Sequence, residues 1–313
     1  MKELSWKRIS ALGLTAILGV SLAGCGSSGS SSASAASSAA SSAEAVTSAS
    51  AGSGEEITAP DAVEDNADAT VIQVALDANV SPYTYADNSG NPAGYDYEVL
   101  KLIDSMLPDY KFEYNVVDYD AAAIGLEQGQ YDIEAGDKYS TEPRKEKFLI
   151  SDPDYYSPEV LAVAKDSGIK SIEDMNGKTL VPVPEADGLR QVYLDYMEAH
   201  PDCGITQETG SSLISIADGL NYVASGRYDA MMDSPEQFEP VLEQDKNLAE
   251  KIVLTDTFSV VGGHFLLNKE RQDLCDKINS SIATLIDNGT LGKLSTKWFE
   301  EDIFEKYKDM VEQ

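Results

Sequence analysis

Three groups of residues have types and spacings that bear on chemistry. Asp87, Ser89, Asn91 and Glu98 fall at positions one, three, five and twelve of a calcium-loop pattern. The sixth place, where the sharp turn demands glycine, is Pro92. The stretch therefore reads as a β-turn, and no metal site is expected. The chain has two histidines, His200 and His264. His200 ends a helical segment beside Pro201, and His264 lies in an apolar strand, so spacing suggests no Ser-His-Asp or Cys-His pair. Cys203 and Cys275 lie far apart and form no CxxC, and the single His200 near Cys203 completes no ligand set. That is neither a zinc pattern nor a disulfide framework. Free thiols are the reading, with a single bridge as the alternative. No catalytic residue and no cofactor is expected.

Cys25 stands apart from the other two cysteines. Before it come Lys2, Lys7 and Arg8, an apolar run from Ile9 to Val20, and Leu22-Ala23-Gly24. A basic start, a short apolar segment and small residues at the cut site make a secretory signal peptide over residues 1–24. The run is too short to remain as a spanning helix. Leu22-Ala23-Gly24-Cys25 also resembles a bacterial lipobox, which implies cleavage before Cys25 and lipidation of its thiol. Two or more acyl chains anchor a protein stably, where one binds marginally. From Gly26 to about Glu56 the chain is nearly all Ser, Ala and Gly, too little apolar surface to offset ordering. Residues 25–69 are expected to be a lipidated flexible tether, with a reach of roughly 35–40 Å.

The net charge is −31. Residues 1–24 hold three basic residues and one acidic, a sum of +2, so their removal leaves −33. Phosphate backbones repel such a chain, which argues against nucleic acid as a partner.

From Val71 onward the pattern is globular. Val71 to Leu76 reads as the first strand. From Asp96, Val99, Leu102, Ile103 and Met106 have helical spacing, and Pro108 stops the helix. Strand patterns follow over 111–117 and 131–133, with a short helix over 120–128 between them. Later come strands over 178–183, 229–232, 251–254 and 264–267. Helices are predicted over 189–197, 213–224 and 271–287, and Ser234 caps another that begins Pro235-Glu236. Leu274, Ile278, Ile282 and Leu285 form one apolar stripe. Alternating strand and helix implies an α/β fold with parallel pairing.

Seven segments, in order, carry a family resemblance. They are Asp77 with Pro82-Tyr83; Gly94-Tyr95-Asp96-Tyr97-Glu98; Asp132 followed by Thr141-Glu142-Pro143-Arg144; Phe148 to Pro153 with Tyr155-Tyr156; Asn176-Gly177-Lys178; Gly226 to Ala230 followed by Asp233; and Asn288-Gly289-Thr290 with Lys297-Trp298-Phe299. Together they resemble the bacterial solute-binding lipoproteins of ABC transporters, in the polar amino-acid-binding family (solute-binding protein family 3). The resemblance implies a two-lobed periplasmic-binding-protein-like fold, with a two-stranded hinge and a ligand cleft between the lobes. Lobe one would hold 70–157 and 258–313, and lobe two 158–257. Such proteins close around ligand by hinge motion.

The resemblance also implies site residues. Arg144 matches the arginine that grips a ligand carboxylate, a task suited to a guanidinium fork in a desolvated cleft. Asp77 and Asp233 match aspartates near the ligand's ammonium. Tyr83 and Tyr119 fall where aromatics stack on the ligand side chain. Val80 stands where an aromatic is common, which implies either a smaller wall there or one built by Tyr139 instead. Gly136-Asp137-Lys138-Tyr139 departs from the family's small hydroxyl or glycine residues and adds Asp137 and Tyr139 to the site. Pro184 to Arg190 replaces a Gly-Ser/Thr-Thr turn. There Asp187 looks like an N-cap, Gly188 offers backbone N–H groups, and Arg190 falls on a solvated helix face.

The implied function is capture of a free amino acid by lobe closure and delivery to the permease of an ABC importer. The protein would be a monomer tethered to the outer face of the cell membrane. Two alternatives remain at this stage. One is a cyclic-acid dehydratase-like enzyme on the same fold, with Asp137 or Glu185 as its buried acid/base group. The other is a ligand-sensing module for a separate receptor.

Overall fold

The computed structural model describes residues 57–311. The signal-peptide reading, Cys25 and most of the tether lie outside them. The chain runs β1 (Thr70–Asp77), β2 (Asn79–Val80), β3 (Thr84–Ala86), β4 (Pro92–Ala93), α1 (Tyr95–Met106), β5 (Tyr110–Val117), α2 (Tyr119–Glu127), β6 (Ile133–Tyr139), α3 (Glu142–Lys147), β7 (Leu149–Ile150) and β8 (Tyr155–Ala164). It continues through β9 (Thr179–Pro184), α4 (Gly188–Ala199), β10 (Thr206–Gly210), α5 (Ile216–Ala224), β11 (Ala230–Asp233), α6 (Pro235–Gln244), α7 (Lys246–Lys251) and β12 (Ile252–Leu254). It ends with β13 (Ser259–Leu267), α8 (Gln272–Asp287), α9 (Thr290–Phe299) and α10 (Ile303–Val311).

The main sheet has the order β10-β9-β11-β8-β13-β6-β1-β5. β1 pairs in parallel with β5 and β6, and β9 in parallel with β10 and β11. The two parallel halves are joined by β8 and β13. β8 pairs antiparallel with β13 as far as Glu159↔Ser259. One residue later it changes partner, and Val160 faces Asp233 of β11. Nearly all of β8 is buried, as expected of a strand covered on both faces. One core gathers Ile72, Leu76, Val99 and Phe265 with the α8 stripe Leu274, Ile278, Ile282 and Leu285. Two smaller cores lie around Leu161 and Val163, and around Leu220 and Phe238. The stripe is buried as its spacing predicts.

Residues 57–69 lie against this body. Val63 N–H donates to the Ser105 carbonyl and Asn66 N–H to that of Pro108, both at 2.8 Å. Two element expectations need correction. The helix expected from Leu213 starts at Ile216, because the Ser215 hydroxyl accepts the Asp218 N–H at 3.1 Å and caps it there. The strand expected over 131–133 extends to Tyr139 as β6. Two of its charged residues pair within the strand, the Lys138 ammonium lying 2.7 Å from Glu134. Gly136 (φ 134) and Asp137 (φ 53) bend the strand and bring those two side chains together.

Candidate functional site

The carboxyl ends of the parallel strands carry most of the residues singled out by sequence. Asp77 ends β1, Tyr119 opens α2 after β5, and Asp137 and Tyr139 lie at the end of β6. On the other half, Gly188 opens α4 after β9, and Asp233 ends β11. Open α/β sheets offer ligands this edge, where strand ends and helix N-termini meet.

Arg144 lies in the first turn of α3. Its backbone N–H donates to the Thr141 hydroxyl at 3.3 Å, which caps the helix. Its side chain turns back toward β6. Nη1 donates to the Tyr139 carbonyl at 2.7 Å, and Nη2 to the Tyr119 hydroxyl at 3.1 Å. Both acceptors are neutral. Among the described residues Arg144 forms no ion pair.

Asp77 is fully buried, and its Oδ2 lies 2.6 Å from the Lys138 ammonium. Burial raises its carboxyl from 3.8 to about 6, against the opposing pull of Lys138. Burial alone would pull the Lys138 ammonium down, and Glu134 and Asp77 outweigh it and hold it above the ordinary lysine value. The same ammonium sits 3.8 Å from the centre of the Tyr119 ring. Asp137 accepts a short hydrogen bond from the Tyr155 hydroxyl. Its own N–H donates to Asp96 at 3.2 Å. Burial raises the Asp137 carboxyl to about 6.

Tyr139 reaches from β6 to the other half of the molecule. Its ring packs on Gly188, where an added Cβ would come within 2.6 Å of it. Its hydroxyl donates to Glu159 at 2.9 Å and lies 3.2 Å from the Ser157 hydroxyl. Asp233 and Glu159 are buried, and burial followed by like charge pushes both well above the carboxylate range. Asp137 is the leading like charge on Asp233, and Asp233 on Glu159. Tyr83 is fully enclosed, its ring 4.7 Å from that of Tyr155 and 5.7 Å from that of Phe299. A cavity of ≈190 Å³ lies between α4 and β13, lined by Tyr139, Ser140, Gly188, Gln191, Asp195 and His264. The two halves are thus drawn together, with Tyr139 and Gly188 in contact.

Arg190 was expected on a solvated face, and the structure corrects this. Nη1 donates to the Gln207 carbonyl at 2.9 Å, and the guanidinium lies over the Tyr193 ring, so the side chain straps α4 to β10. Asp187 is the N-cap of α4, its carboxylate accepting the Leu189 N–H at 2.9 Å. Glu159 was missed by sequence reasoning. Its signal was a single acid inside the apolar run Val160 to Ala164 and its flank. Among the described residues, Cys203 and Cys275 are free thiols and no acid, histidine or cysteine group is placed to hold a metal. No helix there is long and apolar enough to cross a membrane.

Two α/β halves with facing strand ends, joined by a strand pair and lined with opposed charges, define a solute-binding clamp. Residues 72–301 match the bacterial extracellular solute-binding proteins, family 3, and the chain belongs to that family. The L-cystine-binding protein TcyK of Bacillus subtilis is 27% identical over 220 residues, covering 70% of this chain and 79% of that protein. The arginine-binding extracellular protein ArtP of the same organism is 27% identical over 226 residues, covering 71% and 83%. A solved structure from work on glutathione import via GshT and the cystine ABC importer TcyBC of Streptococcus mutans is 25% identical. It has a TM-score of 0.62 and covers 75% of this chain and 97% of its own. These relatives are solute-binding proteins of transport, not enzymes, and the dehydratase alternative is not favoured.

Proposed function

We propose that the chain captures a free amino acid between its two halves and delivers it to the permease of an ABC importer. Arg144 takes the solute's carboxylate by a charge-assisted fork. Asp233 and Asp137, from opposite halves, take its α-ammonium. Tyr119 holds the guanidinium in place, Tyr83 and Tyr139 form the apolar walls, and Gly188 and the start of α4 offer backbone donors. Asp77 acts through Lys138. The protein works as a monomer, tethered through lipid on Cys25 to the outer face of the membrane. The lobes are 70–157 with 258–313, and 158–257.

The observation that carries this reading is the Arg144 side chain. It turns inward onto Tyr119 and Tyr139 and, among the described residues, pairs with no carboxylate. A half-buried guanidinium engaged only by neutral acceptors keeps its fork open to a ligand carboxylate. The names of the relatives, which include L-cystine and arginine binding, support the solute class.

Thermal melts of the full chain with each common amino acid test the proposal. A solute at 100 times its Kd adds about 2.7 kcal/mol. For a chain of this size that raises Tm by roughly 5–10 °C. Arg144→Ala should fold and lose the shift. An equal shift in that variant would show the carboxylate assignment to be wrong.

A further inference from the structure

We infer that Glu159 selects a solute with a second cationic group, an ammonium or guanidinium on its side chain, beyond the α-ammonium. The inference rests on the amino-acid reading above and names the solute class within it.

The charge balance of the cleft leads to this. Asp77, the acid that the sequence pointed to first, is already held by Lys138 at 2.6 Å. That ammonium also holds Glu134 at 2.7 Å, so both of its ion pairs are made at the β1 and β6 strand ends. Asp137, Glu159 and Asp233 remain, and among the described residues none of them forms an ion pair. Their partners are neutral donors: the Tyr155 hydroxyl for Asp137, the Tyr139 hydroxyl for Glu159 and the Ser234 N–H for Asp233.

A solute with one carboxylate and one ammonium would neutralise Arg144 and one acid. Two buried acids would still face each other. A second cationic group would give one of them a counter-charge, and a second carboxylate would find no free guanidinium.

Glu159 is the acid best placed to receive that group. Its side chain is fully buried, and its Oε2 has no hydrogen-bond partner among the described residues. Its backbone is fixed where β8 passes from β13 to β11, so it belongs to both halves. Its acidic neighbours are Asp233, on the adjacent strand β11, and Asp137 of β6. The Tyr139 phenol on Oε1 is a neutral stand-in for a cation.

Isothermal titration of the full chain with two matched pairs tests this: L-arginine against L-citrulline, and L-lysine against L-norleucine. The basic member of at least one pair should bind wild type at least tenfold more tightly than its neutral partner. In Glu159→Gln that ratio should fall below threefold, with the neutral partner's affinity unchanged within threefold. The unchanged affinity for the neutral partner guards against a loss caused by general disruption of the cleft. A preference that survives in Glu159→Gln overturns the inference, as does a wild type that binds neither basic solute more tightly. Binding of neutral amino acids through Arg144 without such a preference would sink this inference alone. Binding of no amino acid at all would sink the amino-acid reading with it.

Discussion

Asp137 combines two costs in one residue. Its backbone is left-handed, with φ 53, a region that side chains other than Asn and Asp seldom adopt. Its carboxyl is raised from 3.8 to about 6 by burial. Asp77 behaves alike, also reaching about 6. An acid raised in the folded state binds more protons folded than unfolded between those values. Its contribution to stability is therefore complete below about pH 4 and is lost as pH rises through about 6. Asp137→Asn keeps the left-handed conformation and removes the charge. The ligand-free full chain carrying it should melt several degrees higher than wild type at pH 8, and the gain should shrink to about half at pH 5, on its way to zero below about pH 4. Melting curves at the two pH values check this, and an equal gain at both would rule out the buried charge as the cause.

Strand β6 shows how much of the site was legible and where legibility stopped. Thr141 to Arg144 was readable from the family resemblance alone, and the apolar start at Ile133 from hydrophobic patterning. The same holds for α8, whose stripe gave its buried face directly. The stretch from Gly136 to Tyr139 was read only as a departure from the family. Its strand comes from pairing with β1 and β13, and its buried Lys138 is matched by Glu134 and by Asp77 of a different strand. Likewise, Glu159 became visible only once β8 was seen to be covered on both sides. Tertiary pairing of charges leaves little periodic signal for a sequence to show.

The bend in β6 makes a test at this scale. An added Cβ at Gly136 would lie 2.7 Å from the Thr84 hydroxyl and 2.8 Å from the Asp77 side chain, at φ 134. Gly136→Ala should therefore cost about 2–5 kcal/mol through strain and overpacking together. Gly226 has φ 73 with nothing within 4 Å, so Gly226→Ala should cost only about 1–2 kcal/mol. Urea unfolding of the two variants compares these costs. Equal losses would show that the close approach of Asp77 does not matter.

At the scale of the whole molecule, two parallel half-sheets are joined by β8 and β13 alone in the main sheet order. Each half is built around its own core, so the halves can move as units while the strand pair bends. Tyr139 and Gly188 meet where the halves touch. Under the proposed function, solute enters by opening this contact and is held by groups from both sides. The central claim is that the Arg144 fork supplies the anchoring half of that grip. A crystal structure of the full chain grown with a bound amino acid tests it most directly. The account predicts both solute carboxylate oxygens within about 3 Å of the Arg144 nitrogens. A solute bound elsewhere, with Arg144 still engaged only by Tyr119 and Tyr139, would contradict it.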